Sequence, residues 1–215
     1  MDIISIHNVL FEVLGYQVSL IELIGTITGL ICVWYSVRAN VLTWPIGIIN
    51  AAAFLILFYQ VNLYSDMFLQ VWFIIIGIYG WINWSKKDAK KTISRLDKNQ
   101  ITLVLFLVTA GTIFIGSYMS HIHEMLPQFF SQPAAYPYFD AFTTTASIIA
   151  VVLMAQKKIE TWVLWISVDI VCIVLYILKG ILFMSVEYFL FSMLATSGLI
   201  TWIKFLKNEK RTSIR

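Results

Sequence analysis

The sequence predicts an all-α membrane protein of seven transmembrane helices, arranged as three plus one plus three with two parallel three-helix repeats, and three observations lead there. Of its 215 residues 60% are hydrophobic and 15% aromatic, while only 13% are charged, about half the charged share of a soluble domain. Apolar runs of about 20 residues, each enough to cross roughly 30 Å of hydrocarbon as a helix, fit into the chain seven times. The chain also resembles itself at a shift of 118 to 119 positions.

The first 18 residues, MDIISIHNVLFEVLGYQV, carry Asp2 and Glu12 and lack the basic stretch of a cleavable signal. They read as an interfacial amphipathic segment on the outer face. Spans at 19–37, 41–60 and 65–84 form the first repeat, 19–84. Helix 1 holds Glu22 and a stripe of Gly25, Thr26 and Gly29 with GxxxG spacing, which suits close helix packing. Pro45 falls within the first turn of helix 2, where a missing N–H costs little, so no hinge is needed. Residues 85–137 comprise a basic cytoplasmic loop, a linker helix at 101–119 and an outer loop, SHIHEMLPQFFSQPAAYP. The second repeat, 138–205, has spans at 138–156, 161–179 and 183–205, and 206–215 form a cytoplasmic tail.

Orientation follows from Lys and Arg near helix ends, which stay cytoplasmic. Lys86, Lys87, Lys90, Lys91, Arg95 and Lys98 lie between helices 3 and 4, Lys157 and Lys158 between helices 5 and 6, and Arg38 between helices 1 and 2. The outer loop has neither residue type, so the N-terminus is expected outside and the C-terminus inside; Lys179 alone stands against this. The net charge of +3, gathered in these loops and the tail, speaks for membrane orientation and not for nucleic acid. Cys32 and Cys172 lie inside spans, away from any CxxC pattern, and the HxH of His121 and His123 in the outer loop has no further ligands nearby. Neither a disulfide, a metal site nor a cofactor is expected.

The repeat lays Trp44 on Trp162 and Trp84 on Trp202 at a shift of 118, and Asn50 on Asp169, Leu63 on Leu182 and Tyr64 on Phe183 at 119. An offset of four helices keeps the halves parallel, with a substrate site expected at midplane between them. Asp169 lies about 12 Å along helix 6 from Thr161, near the bilayer centre. A carboxylate there is costly and marks function by default. One stripe of helix 6 carries Trp162, Trp165, Asp169 and Tyr176, and one of helix 3 carries Asp66, Gln70, Phe73, Gly77, Trp81 and Trp84. Helix 7 adds Glu187, Tyr188 and Ser192, and helix 5 adds Asp140, Thr144 and Ser147. Trp44, Trp81, Trp84 and Trp202 lie near span ends and read as an aromatic belt at the headgroups.

No span has a central Lys or Arg, so a phosphorylated substrate would lack its counter-charge. Aromatic faces with a carboxylate favour a neutral or cationic flat ring, through stacking and cation–π attraction. A proton-coupled symporter would use Asp169 or Glu22 as its protonated group and would respond to a pH gradient. A retinal protein requires a mid-helix lysine, whereas helix 7 offers only Lys204 at its end. No GxSxG or HExxH occurs, so an enzyme is not expected.

The segments 40–84 and 161–180 resemble the PnuC-type vitamin transporters, whose best-known member imports nicotinamide riboside. The matching features are WPxGI at 44–48, LYxDxxLQ at 63–70, YGWxxW at 79–84, WxxWxxxD at 162–169 and LYxxKG at 175–180. The resemblance implies a fold like that of the sweet-type sugar transporters and facilitated diffusion across the bacterial inner membrane. It also implies trapping of the product through phosphorylation by a cytoplasmic kinase. As substrate contacts it implies Gln70, Trp165 and Asp169, followed by Asn50, Trp162, Tyr188 and Asp66. The sequence departs from the family pattern at Leu182, Met184 and Glu187, which keeps thiamine and riboflavin open as alternative substrates. A homo-oligomer in the bilayer is left open as well.

Overall fold

The computed structural model describes residues 5, 8–13, 15–60, 64–86, 93–125, 128 and 135–212, with backbone alone at 64, 65 and 209–212. Leu63, Lys87, Lys90, Lys91, Asp2 and most of the outer loop lie outside the described residues. Seven helices dominate: Leu20–Val37 (α1), Thr43–Gln60 (α2), Tyr64–Ser85 (α3), Lys98–Met125 (α4), Pro137–Ala155 (α5), Glu160–Leu178 (α6) and Leu182–Thr212 (α7). Each is long and apolar enough to cross a membrane, and the protein is a multi-pass membrane protein.

The chain before α1 departs from all-α. Val9–Val13 (β1) and Tyr16–Ser19 (β2) pair antiparallel, turning at Gly15 with φ +79°, a left-handed conformation that glycine adopts at little steric cost. Ser19 ends β2 and caps α1: its backbone N–H donates to Glu22 Oε2 at 2.7 Å, while Glu22 N–H donates to Ser19 Oγ at 3.4 Å.

Helix α4 is longer than the 101–119 expected, because hydropathy marks the apolar crossing and not the helix. Asp97 and Gln100 exchange backbone-to-side-chain bonds at 2.8 and 3.1 Å and start it early. Ser120 Oγ donates to the Ser117 carbonyl at 2.9 Å in its polar last turns. His121 and His123 therefore stand on a helix and not in the outer loop. In the same way α7 runs on past 205, so the tail begins helical.

The helices close a ring: α1 packs on α2, α2 on α3, α3 on α5, α5 on α6, α6 on α7 and α7 on α1, with α4 outside against α5. Close approach depends on small residues. A Cβ at Gly25 would come within 2.9 Å of the Phe54 ring, and one at Gly29 within 3.1 Å of Asn50 Nδ2, so the α1 stripe serves packing as its spacing suggests.

Equivalent contacts recur 118 positions apart. The α1–α2 turn has Ala39 at φ 50° and the α5–α6 turn Lys157 at φ 56°. Asn40 N–H donates to Tyr35 O at 3.1 Å, and Lys158 N–H to Leu153 O at 2.9 Å. Thr43 Oγ1 donates to Cys32 O at 3.0 Å, and Thr161 Oγ1 to Ala150 O at 2.8 Å. Trp44 meets Trp84 edge-on at 5.3 Å between centroids, as Trp162 meets Trp202 at 5.5 Å.

These tryptophans correct the expected belt. Trp44, Trp84 and Trp202 are 5, 8 and 0% exposed and form one core with Trp162, whereas Trp81 faces outward at 45%. Glycines admit the rings, and backbone carbonyls take the indole N–H of Trp84 and Trp202, so an apolar body with one polar tip is satisfied indoors. Part of the basic loop straps this end: Ser94 N–H donates to Lys157 O at 3.1 Å, Ile159 N–H to Ser94 O at 3.0 Å, and Ile93 is buried among the tryptophans.

Candidate binding site

Asp169 lies nine residues into α6, about 14 Å along a helix of about 28 Å. It is 5% exposed and has no hydrogen bond or ion pair among the described residues. A buried carboxylate in that state lacks the partner that would offset its desolvation. Gln70, on α3 and 7% exposed, likewise has no hydrogen bond among the described residues. Two buried polar side chains on different helices thus remain unsatisfied by the protein, which is the chemistry of a site completed by a ligand or water.

Aromatic walls surround Asp169. Trp165, one turn toward the basic-loop end, meets Phe73 of α3 at 6.3 Å between centroids. Toward the hairpin end, Tyr176 stacks on Tyr188 of α7 at 5.4 Å and 14°, and Tyr188 meets Phe191 at 6.3 Å. Phe142 of α5 packs into the same cluster with Val168, Cys172 and Tyr188.

The expected stripe of helix 6 is therefore divided. Trp165, Asp169 and Tyr176 come together, but Trp162, 1% exposed, belongs to the tryptophan core and presses on Gly198. Asn50, expected as a substrate contact, donates from Nδ2 to the Gly25 carbonyl at 2.6 Å and so fastens α2 to α1. It lies near Phe191 through their shared contact with Gly29. Asp66 is at the hairpin end, within the field of Asp140 and Lys179, whose own ion pair measures 3.9 Å. Ser192 turns its hydroxyl to the Phe189 carbonyl at 2.8 Å.

Sequence reasoning missed Cys172, Phe142 and Phe191. Spacing held the signal for two of them, since Cys172 is one turn from Asp169 and Phe191 one turn from Tyr188.

At the hairpin end, Tyr16 of β2 reaches over the α1–α7 seam. Its hydroxyl donates to Glu22 Oε1 at 2.6 Å and its ring stacks on Phe183 at 5.2 Å. Burial, and then the bond to Glu22, push its phenol above the ordinary range and keep it a neutral donor. Glu187 is buried on α7 near Thr26 of α1.

Comparison with known proteins adds kinship. The sequence profile of the nicotinamide mononucleotide transporter family matches residues 19–204. The nicotinamide riboside transporter PnuC of Escherichia coli (strain K12) is 31% identical over 226 residues, covering 94% of this chain and 95% of that protein. The riboflavin/roseoflavin transporter RibM of Streptomyces davaonensis is 22% identical over 186 residues, covering 84% and 83%. The crystal structure of the vitamin B3 transporter PnuC superposes with a TM-score of 0.65 at 25% identity, covering 86% of this chain and 81% of that one.

Proposed function

The chain belongs to the nicotinamide mononucleotide transporter family, and from that premise we propose that it carries nicotinamide riboside by facilitated diffusion across the bacterial cytoplasmic membrane. The observation that carries this reading is Asp169, buried, unpaired among the described residues and set half-way along α6 beside Trp165. Asp169 accepts the ribose hydroxyls or offsets the pyridinium charge, and Trp165 with Phe73 stacks the ring. Gln70 bonds the carboxamide, and Tyr188 closes the opposite wall. Asn50, fixed by Gly25, borders the site from α2, and Asp66 stands at its mouth. Trp162 supports Trp165 from one turn away and makes no contact of its own with substrate.

Binding occurs at mid-depth between two parallel three-helix halves, α1–α3 and α5–α7, with α4 as linker. The contacts that recur 118 positions apart support this arrangement. The N-terminus lies outside and the C-terminus inside, since Lys and Arg gather at the basic-loop end. A mononucleotide is a poor cargo despite the family's name, because no Lys or Arg stands at mid-helix to take the phosphate. Net accumulation then follows from phosphorylation by a cytoplasmic kinase, which turns cargo into a species the site does not accept.

Titration calorimetry on the detergent-purified protein with nicotinamide riboside, thiamine and riboflavin tests the substrate. Tight riboside binding lost in Trp165→Ala supports the reading, whereas binding of thiamine or riboflavin alone replaces the substrate and keeps the site. Uptake into proteoliposomes should ignore an imposed pH gradient; uptake that follows the gradient would make the protein a symporter.

A further inference from the structure

The two halves touch at the basic-loop end through a reciprocal pair of bonds. Trp84 Nε1, on α3, donates to the Ala155 carbonyl of α5 at 3.0 Å, and Trp202 Nε1, on α7, donates to the Ser36 carbonyl of α1 at 3.1 Å. The donors stand 118 positions apart and the acceptors 119, so each half is fastened by the other in the same way. Asn83 Nδ2 adds a donor to the same Ala155 carbonyl at 2.9 Å, and the rings of Trp84 and Trp202 meet across the seam at 6.3 Å.

The other two tryptophans behave differently. Trp44 and Trp162 lie within their own halves, each pressed to a glycine of the same half, with ring atoms 2.5 Å from a Cβ at Gly80 and 2.6 Å from one at Gly198. Among the described residues their buried Nε1 atoms have no hydrogen-bond partner, and close packing against the glycines holds the rings. Trp44 and Trp162 are thus held by close steric contact inside their own halves, whereas Trp84 and Trp202 add directional bonds across the seam. Such bonds separate when two rigid bodies rock apart, and interlocked rings do not.

We propose that Trp84 and Trp202 are the gate of the basic-loop end, a twin latch whose two indole–carbonyl bonds break together when the site opens to that side. This rests on the transporter reading but concerns residues remote from the ligand, since Trp84 is eleven positions beyond Phe73 on α3, about 16 Å along the axis. Trp84 and Trp202 are positioning residues that set access to Asp169 and touch no substrate.

Cys172, buried beside Asp169, reports on opening once Cys32 is replaced by Ser. A membrane-impermeant maleimide is applied to each face of oriented vesicles, the basic-loop face being identified by labelling of Lys86→Cys in a separate preparation. In Trp84→Phe/Trp202→Phe, Cys172 should react at least tenfold faster from the basic-loop face only, while riboside affinity stays within threefold. Unchanged labelling in the folded double variant overturns the latch and leaves the transporter reading intact. Faster labelling from both faces, or lost binding, overturns it too, by making the tryptophans mere supports of the fold. Should the double variant fail to fold, Asn83→Cys/Ala155→Cys bridged by a short reducible thiol cross-linker provides the second arm. The bridged protein should bind riboside yet carry none until reduced, and uptake at the reduced rate while bridged overturns the latch. Absence of riboside binding by the unmodified protein would instead sink the substrate assignment, which the labelling arm does not need.

Discussion

Asp169 could be singled out as a candidate before any fold was known, because a carboxylate in the middle of an apolar run has few bland explanations. Trp162 could not. It shares a helical stripe with Trp165, and only the fold reveals that Gly198 makes room for it on α7. Asp169→Asn keeps the shape and removes the charge, so riboside affinity should fall at least tenfold, about 1.4 kcal/mol, with unchanged elution on size exclusion; calorimetry reads the first and chromatography the second. Gly80→Ala and Gly198→Ala do the reverse. Each new methyl must displace a tryptophan ring in a closed core, so each should destabilise the fold by about 1–3 kcal/mol, visible as a lower thermal midpoint in detergent. A substitution at either glycine that left the midpoint in place would mean the rings have room to give.

Hydropathy located all seven helices, since a run of apolar residues long enough to span hydrocarbon has one dominant backbone solution there. It missed what water-facing chemistry decides. The early start of α4 depends on Asp97 and Gln100 bonding each other, and the hairpin depends on two strands of five and four residues, too short to stand out from an amphipathic segment. The hairpin is held down by Tyr16, whose bond goes to a carboxylate, so Tyr16→Phe should weaken its docking by about 1.5–3 kcal/mol, nearer the lower figure for a half-exposed site. Hydrogen exchange of the β1–β2 amides should rise in that variant while α2 amides stay protected. The pH dependence has a definite sign. The folded phenol titrates above its unfolded value of about 10, so the contribution is complete below that value and disappears as pH rises through the folded one. Docking should therefore be equal at about pH 6 and 9 once intrinsic exchange rates are removed.

At the scale of the whole molecule, the sequence showed a self-resemblance in four tryptophans and in Asn50 on Asp169, Leu63 on Leu182 and Tyr64 on Phe183, but not which residues touch, because alignment shows equivalence and not adjacency. Sequence placed three of those tryptophans among the lipid headgroups; the ring places them at the centre of one end, where equivalent residues of the two halves meet. What the ring leaves out is α4. It packs on α5 through Gly111 and Gly116, each set against an α5 side chain, and turns outward such residues as Phe114, 76% exposed. Replacing the outward positions of α4 with an unrelated apolar sequence, with Gly111, Gly116 and their neighbours on that face kept, should leave riboside uptake unchanged in proteoliposomes.

In the proposed arrangement of two parallel triplets, the position of α4 then reduces to a matter of parity. Each crossing of a bilayer reverses the direction of the chain, so three crossings deliver it to the far side, and three more begun there would stand upside down. One additional crossing restores the sense of the first. A chain from which α4 was cut, with every residue of the ring intact, would present its second triplet inverted, and Trp84 would look across the seam at the wrong end of its twin.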